Sequence, residues 1–192
     1  IIRLAIKERL PLGILEKDFV LTYILKKIYN SSLKDKLIFK GGTALHKIYL
    51  HKRLSTDLDF TQLNKLDLGE IKKIIEDKGI KSKIKDINEN KYSINIILSY
   101  ISVLNYKDSI KIQISKREKP MLQIIKKKLK SYFYSEFEIL TFKFEELIAE
   151  KIRALMQRNK PRDYLDIYYV LNEKEIKLNV IIKLAKQKLK KV

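Results

Sequence analysis

The chain has no cysteine and no tryptophan, and only three prolines, five glycines and two histidines among 192 residues. Without thiols, neither a disulfide framework nor a zinc-thiolate site can form. So few prolines and glycines exclude a low-complexity or collagen-like chain, and 45% apolar residues is an ordinary globular content. No apolar run reaches the roughly 18 residues of a membrane-spanning helix, and no signal-peptide pattern opens the chain. A cytoplasmic protein with no membrane contact is the expectation. Acidic residues are also scarce: 23 Asp and Glu stand against 42 Lys and Arg, a net charge of +19. Such an excess attracts polyanions by releasing the counterions that phosphates hold, and points to nucleic acid or an acidic protein. A coding sequence rich in Lys and Ile codons gives the same excess without any function, so charge alone names no partner. The length allows one domain, or two small lobes, burying about 70% of the unfolded surface.

What is present begins with Asp57 and Asp59, in the stretch RLSTDLDF at 53–60. In an extended strand alternate residues share a face, so Ser55, Asp57 and Asp59 point one way while Leu58 and Phe60 point into a core. Two carboxylates then lie within reach of one divalent ion. A hard cation such as Mg²⁺, or Mn²⁺ in its place, takes oxygen ligands and is commonly held by one or two carboxylates together with substrate phosphates. Upstream, Leu37, Ile38 and Phe39 form a short apolar run, followed by Lys40, Gly41, Gly42 and a helix with Ala44, Leu45 and Ile48 on one side. Glycine lets the backbone come close to a ligand, and free N–H groups at a helix start attract phosphate. Thr43 adds a hydroxyl donor. A Gly-Gly before a helix is common; followed by Ser-x-Asp-x-Asp, it makes nucleotide chemistry the first expectation.

The segment KGGTALHKIYLHKRLSTDLDF resembles the AbiEii-like nucleotidyltransferase toxins of abortive-infection systems, within the polymerase-beta-like nucleotidyltransferase superfamily, whose members carry KGGTAL followed by RxSxDxDF. IKIQISKREKP at 110–120 is similar to the family's next core strand. EELIAEKIRALMQRNKPRDYLDIYYVL at 145–171 is similar to its C-terminal Lys, Arg and Arg-Asp-x-x-Asp signature, and ILEKDFVLTYIL at 14–25 to its N-terminal helix. The resemblance implies an α/β fold of the mixed α+β kind: a mixed sheet with flanking helices plus a helical C-terminal part. Residues 1–140 would be the nucleotidyltransferase core with its N-terminal helix, and 141–192 a helical region packed on it. It further implies an enzyme that moves a nucleoside monophosphate from an NTP to a hydroxyl of RNA (tRNA-like) or of protein, releasing pyrophosphate. The resemblance also implies that the enzyme is the toxin of a toxin–antitoxin pair, with a cognate antitoxin.

Periodicity gives the remaining elements. Val20, Leu21, Ile24, Leu25 and Ile28 recur at helical spacing over 18–29, with Glu16 and Asp18 near the start and Lys26 and Lys27 near the end, until Asn30, Ser31 and Ser32 break it. A helix over 68–78 is expected to end at Gly79. β-Branched alternation over 80–87, 92–100 and 109–115 reads as antiparallel strands joined by turns at 86–91 and 105–108. From Glu145 the pattern is helical, with Phe144, Ile148, Ile152 and Leu155 on one face, Pro161 opening the next helix, and Leu178, Ile181, Ile182, Ala185 and Leu189 forming a last stripe.

By the resemblance, Asp57 and Asp59 are metal ligands, Ser55 a phosphate ligand beside them, and Gly41, Gly42, Thr43 and Arg162 further phosphate contacts. Lys151, at the border of the apolar face of its helix, is implied to reach the triphosphate and stabilise the leaving pyrophosphate. Arg153 and Arg158 are weaker candidates. Asp163 matches the family's functional aspartate, and Asp166, three residues on and on the same helix face, either joins it or binds Arg162 or Arg158. Superfamily enzymes with two metals present a third carboxylate from a neighbouring strand. Here that position is Gln113, an amide that binds divalent ions poorly and cannot act as a base. Either the chemistry runs without that carboxylate, or Asp163 or Asp166 supplies it. His46 and His51, with no ligand cluster around them, are expected on helix surfaces. The aromatics of 131–137 either stack on bases or pack in the interior. The competing function is a catalytically impaired nucleotide- or RNA-binding module of the same fold, suggested by Gln113; a paired-aspartate phosphohydrolase lacks a third ligand cluster.

Overall fold

The structure, a computed structural model, describes residues 1–173 and 176–190. Of the expected C-terminal region, residues 174, 175, 191 and 192 lie outside the described residues. Two helices come first, α1 (Ile2–Glu8) and α2 (Leu12–Tyr29), then β1 (Leu37–Lys40), a short α3 (Gly41–Leu45) that widens into a π-helical turn (His46–Leu50), β2 (Asp57–Gln62) and α4 (Leu68–Ile75). Three strands follow, β3 (Lys83–Glu89), β4 (Ser93–Ile101) and β5 (Lys107–Ser115), then the hairpin of β6 (Ile125–Leu129) and β7 (Phe137–Thr141), and three helices, α5 (Phe144–Arg158), α6 (Pro161–Glu173) and α7 (Leu178–Lys190). The strands form one seven-stranded mixed sheet ordered β3-β4-β5-β2-β1-β7-β6. β2 runs parallel to β5 and antiparallel to β1, while β1 runs parallel to β7. The expected mixed sheet with flanking and C-terminal helices is therefore the observed architecture. No helix among the described residues is long and apolar enough to cross a membrane.

Side-chain alternation explains the sheet. In β4, Ile94, Ile96, Leu98 and Tyr100 are buried, and in β5 Ile110, Ile112 and Ile114 are, while the residues between them are more exposed. β1 sits near the centre and is buried at all four positions, as a strand covered on both faces must be. α2 lays Val20, Leu21, Ile24, Leu25 and Ile28 on the core, and the Tyr29 hydroxyl ties its end to the sheet through the Leu37 and Leu140 carbonyls.

Several expectations need correction. α2 begins at Leu12, so Glu16 lies inside the helix, buried, where Oε1 accepts hydrogen bonds from the Ser102 hydroxyl and the Leu104 N–H. α4 ends at Ile75, not Gly79, because Glu76 turns extended and Asp77 accepts the Gly79 N–H to start a tight turn. The strands and their turns are displaced by one to three residues, and β5 stops at Ser115. The β6–β7 hairpin was not foreseen: Lys126, Lys127 and Lys128 hide the alternation of an edge strand that charge protects from further pairing. The buried stripe of α7 is Ile181, Leu184, Ala185 and Lys188, leaving Leu178 and Ile182 exposed, since Lys188 turns inward to Glu146 and Glu150 on α5.

Candidate active site

The cleft forms where β1, β2 and β5 lie side by side beneath α5 and α6. Asp59 is registered between Lys40 of β1 and Gln113 of β5, and Asp57 faces Lys111. Leu58 and Phe60 are fully buried, so both aspartates point to the other face. Gly41 closes the turn between β1 and α3 at φ 76°, a left-handed conformation, and a Cβ there would lie 2.3 Å from Asp59 Oδ2. The Asp59 carboxylate thus packs directly on the Gly41 backbone. Loss of water around it pushes the Asp59 pKa up, with Lys40 pulling it down and Asp57 pushing it up. Asp59 makes no hydrogen bond or ion pair with any described residue. A crowded carboxylate without a hydrogen bond or ion pair, beside a second one whose side chain pairs, among the described residues, with Arg162 alone (Nη1 to Asp57 Oδ2, 3.9 Å), suits a bound cation. Among the described residues no group of three or more His, Cys, Asp or Glu side chains converges on a metal position. A metal here would therefore take two protein carboxylates and draw its other oxygens from substrate or water.

Thr43 does not face the cleft as a free donor: it is buried, and its hydroxyl donates to the Asp57 carbonyl, pinning the start of β2. α3 is five residues long before it widens into the π-helical turn, so its dipole is small. Attraction for anions comes instead from side chains. Gly42 and Ser55 line a cavity of about 150 Å³ with Asp57 and Asp59, walled by Arg53, Lys111, Lys151, Arg158, Lys160 and Arg162. A neighbouring cavity of about 300 Å³ shares Asp59 and Gln113 and extends to Lys40, Tyr92, Arg117, Glu118 and Arg153.

Lys151 is buried rather than at a helix border, with Nζ 2.9 Å from both Asp163 Oδ1 and Asp166 Oδ2. Arg158 Nε lies 2.8 Å from Asp163 Oδ2. Asp166 binds neither Arg162 nor Arg158. Its partners besides Lys151 are Arg53, through Nε at 2.8 Å and Nη2 at 2.9 Å, and His46 Nε2 at 2.8 Å. His46 is therefore no surface residue; the π-helical turn carries it inward, whereas His51 is exposed. Burial raises the Asp166 pKa, but hydrogen bonds from His46 and Arg53 and the Lys151 charge outweigh it and hold the carboxyl well below the usual range. Asp163 is likewise lowered: Arg158 and Lys151 overcome its burial. Both are fully buried in ion pairs, so neither offers the free third carboxylate.

A second network escaped sequence reading. Lys40 contacts Glu118 and Glu150, Glu118 also pairs with Arg153, and Lys188 joins Glu146 and Glu150. Glu146 accepts the N–H groups of Met121 and Leu122, fixing the loop after β5. The acidic residue in SKREKP was its only sequence signal.

A search of curated proteins found no match. The family described as "Nucleotidyl transferase AbiEii toxin, Type IV TA system" matches residues 23–192. The chain belongs to this AbiEii family of nucleotidyltransferase toxins. JHP933 from Helicobacter pylori is similar in structure, with a TM-score of 0.67 and 22% identity over 88% of this chain and 72% of that one. MenT4, nucleotidyltransferase toxin Rv2826c of Mycobacterium tuberculosis, superposes with a TM-score of 0.75 and 18% identity, covering 89% of this chain and 63% of MenT4. At such identities these likenesses speak for the fold. The AbiEii family carries the enzyme class, a nucleotidyltransferase.

Proposed function

We propose that this AbiEii chain is a Mg²⁺-dependent toxin that transfers a nucleoside monophosphate from an NTP to a hydroxyl of RNA, tRNA-like, countered by a cognate antitoxin. The observation that carries the reading is the unpartnered Asp59 carboxylate beside Asp57, facing a cleft walled by six Lys and Arg side chains. Asp57 and Asp59 would hold the ion; bound, it neutralises charge on the triphosphate and polarises the α-phosphorus for attack. Arg53, Lys151 and Arg158 supply positive charge where pyrophosphate leaves, already fixed in place by Asp163 and Asp166 and needing no reorganisation as the charge develops. The acceptor oxygen forms a bond to the α-phosphorus, the bond to the β-phosphate oxygen breaks, and the hydroxyl proton passes to water, since Gln113 cannot accept it. Lys111, Lys160 and Arg162 at the mouth favour a polyanionic acceptor, which supports RNA over a protein side chain.

Gln113, registered against Asp59, favours one second reading, a module that binds nucleotide or RNA without turnover. Incubation with each α-³²P NTP, Mg²⁺, and total RNA and protein, beside D57A, decides. Label in RNA that vanishes in D57A is the expected result. Label in protein shifts the acceptor, and folded, NTP-binding protein that yields no label gives the second reading first place.

A further inference from the structure

A cavity of about 700 Å³ lies away from the carboxylates. It opens between α2 and α4 at the start of β1, where Tyr29 binds the Leu37 carbonyl, whereas Asp57 and Asp59 flank the other end of that strand. The two ends of β2 are about 17 Å apart at about 3.4 Å per residue. Its volume falls within the roughly 300–1,000 Å³ of small-molecule sites.

Its walls follow from helix geometry. Tyr23, Lys26 and Lys27 of α2 and Asn30, which caps it, recur at i, i+3, i+4 and i+7, facing Glu70, Lys73 and Ile74 at i, i+3 and i+4 on α4, with Tyr134 from the β6–β7 loop at one end. Lys26 Nζ lies 5.4 Å above the Tyr134 ring and Lys27 Nζ 5.8 Å above Tyr23. The two tyrosines pack together at 6.1 Å, and Phe19 supports Tyr134 from behind at 5.3 Å. The carboxylates nearby are already engaged, Glu70 with Lys36 and Ser32, and Asp77 with Lys27. Lys73 has no ion-pair partner among the described residues, and Lys26 only the Ser135 hydroxyl. The Tyr134 hydroxyl is buried with no hydrogen-bond partner among the described residues. Two aromatic rings, the Lys73 ammonium, a Lys26 ammonium held only by a hydroxyl and a ring face, and a hydroxyl without a partner among the described residues suit a ligand with a π-face, phosphates and hydrogen-bonding edges.

We infer that this cleft is a second contact for RNA, holding an unpaired nucleotide of the acceptor while its reacting hydroxyl lies at Asp57; the inference rests on RNA being the acceptor. The base stacks on Tyr23 and Tyr134, and adjacent phosphates meet Lys26 and Lys73. A purely acidic peptide such as polyglutamate would find the charge but has no planar ring to lie on the tyrosines.

The test is binding of a fluorescein-labelled 12-nucleotide single-stranded RNA by anisotropy, across a salt series, without NTP. K26E/K73E is expected to weaken it about tenfold and to lower the log–log salt slope by about 1.4, two phosphates at about 0.7 each. Y134F, which keeps the ring, is expected to weaken it about threefold. K183E/K186E, the same charge change on the exposed side of α7, is the control and should shift affinity less than the cleft variant does. Equal losses in the two double variants would reduce the cleft to general attraction and overturn the inference. So would displacement of the RNA by polyglutamate of matched charge as readily as by unlabelled RNA. Transfer of label separates this inference from the active-site reading. RNA labelling by the parent with both double variants alike sinks the cleft alone. A parent that labels nothing, yet loses RNA through K26E/K73E and not the control, sinks the transferase reading and keeps the cleft.

Discussion

Replacing Gly41 by alanine tests how the carboxylate pair is built. The backbone there has φ 76°, and the new Cβ would stand 2.3 Å from Asp59 Oδ2 and 2.8 Å from Asp59 Cβ. The left-handed conformation costs a side-chain-bearing residue about 1–2 kcal/mol. Relief of the overlap, by analogy with overpacked cores, costs about 1–3 kcal/mol more. G41A is thus expected to lose about 2–5 kcal/mol in urea denaturation followed by circular dichroism. Ordinary contact begins near 3.5 Å, so the Asp59 carboxylate must retreat by about 1 Å. A displacement of that size costs on the order of a hundredfold in rate at a positioned group, measured as label transfer under conditions where the variant is folded. G42A provides the contrast. Its Cβ would come within 3.1 Å of Arg53 Nη2, which Asp166 holds, and 3.6 Å of Asp166 Oδ2 and Lys151 Nζ; with no left-handed backbone and only a few tenths of an ångström to yield, its stability should change by at most about 1 kcal/mol. Equal stability losses in the two variants, or a G41A enzyme as fast as the parent, would refute the packing of Asp59 on Gly41.

Three other substitutions probe the surroundings. K151M leaves Asp163 and Asp166 buried, each with other cations still attached, so stability should fall by about 3 kcal/mol, the lower end for a broken buried pair, and transfer by at least about a hundredfold; wild-type transfer would remove Lys151 from the reaction. D166N tests linkage. The Asp166 pKa is depressed by folding, so its contribution is present above the unfolded value near 3.9 and lost as pH falls through the folded one. The stability gap between parent and D166N should narrow below about pH 4, and a constant gap would argue against the His46, Arg53 and Lys151 contacts. Q113A should keep transfer within about threefold, because an amide supplies no base; a collapse in rate would give Gln113 a role in positioning.

The parts legible in sequence were those governed by local rules. Alternation in LDF buried Leu58 and Phe60 and turned Asp57 and Asp59 outward; Pro161 opened α6; the Gly-Gly pair marked the turn after β1. What could not be read depended on residues distant in the chain. Asp166 looked like a partner for nearby arginines, yet it is claimed by Arg53 and His46, brought in by a turn that spacing alone does not reveal. Thr43 looked like a free donor until β2 laid the Asp57 carbonyl against it. Lysines of β6 hid a strand, and Glu118 gave no periodic sign of joining Lys40 to Arg153.

The contact between His46 and Asp166 spans 120 residues. A chain emerging from the ribosome has Gly41, Asp57 and Asp59 long before it has the helix that fixes Lys151 and Arg53. At about 5–20 residues per second, roughly 6–24 s separate the two ends of that contact. Until α5 is made Asp57 and Asp59 lack Lys151 and Arg158, and until α6 is made Arg53 lacks the carboxylate that holds it. The ion-pair network that holds Lys151 and Arg158 over the cleft is complete only once α6 has been synthesised and docked against the π-helical turn.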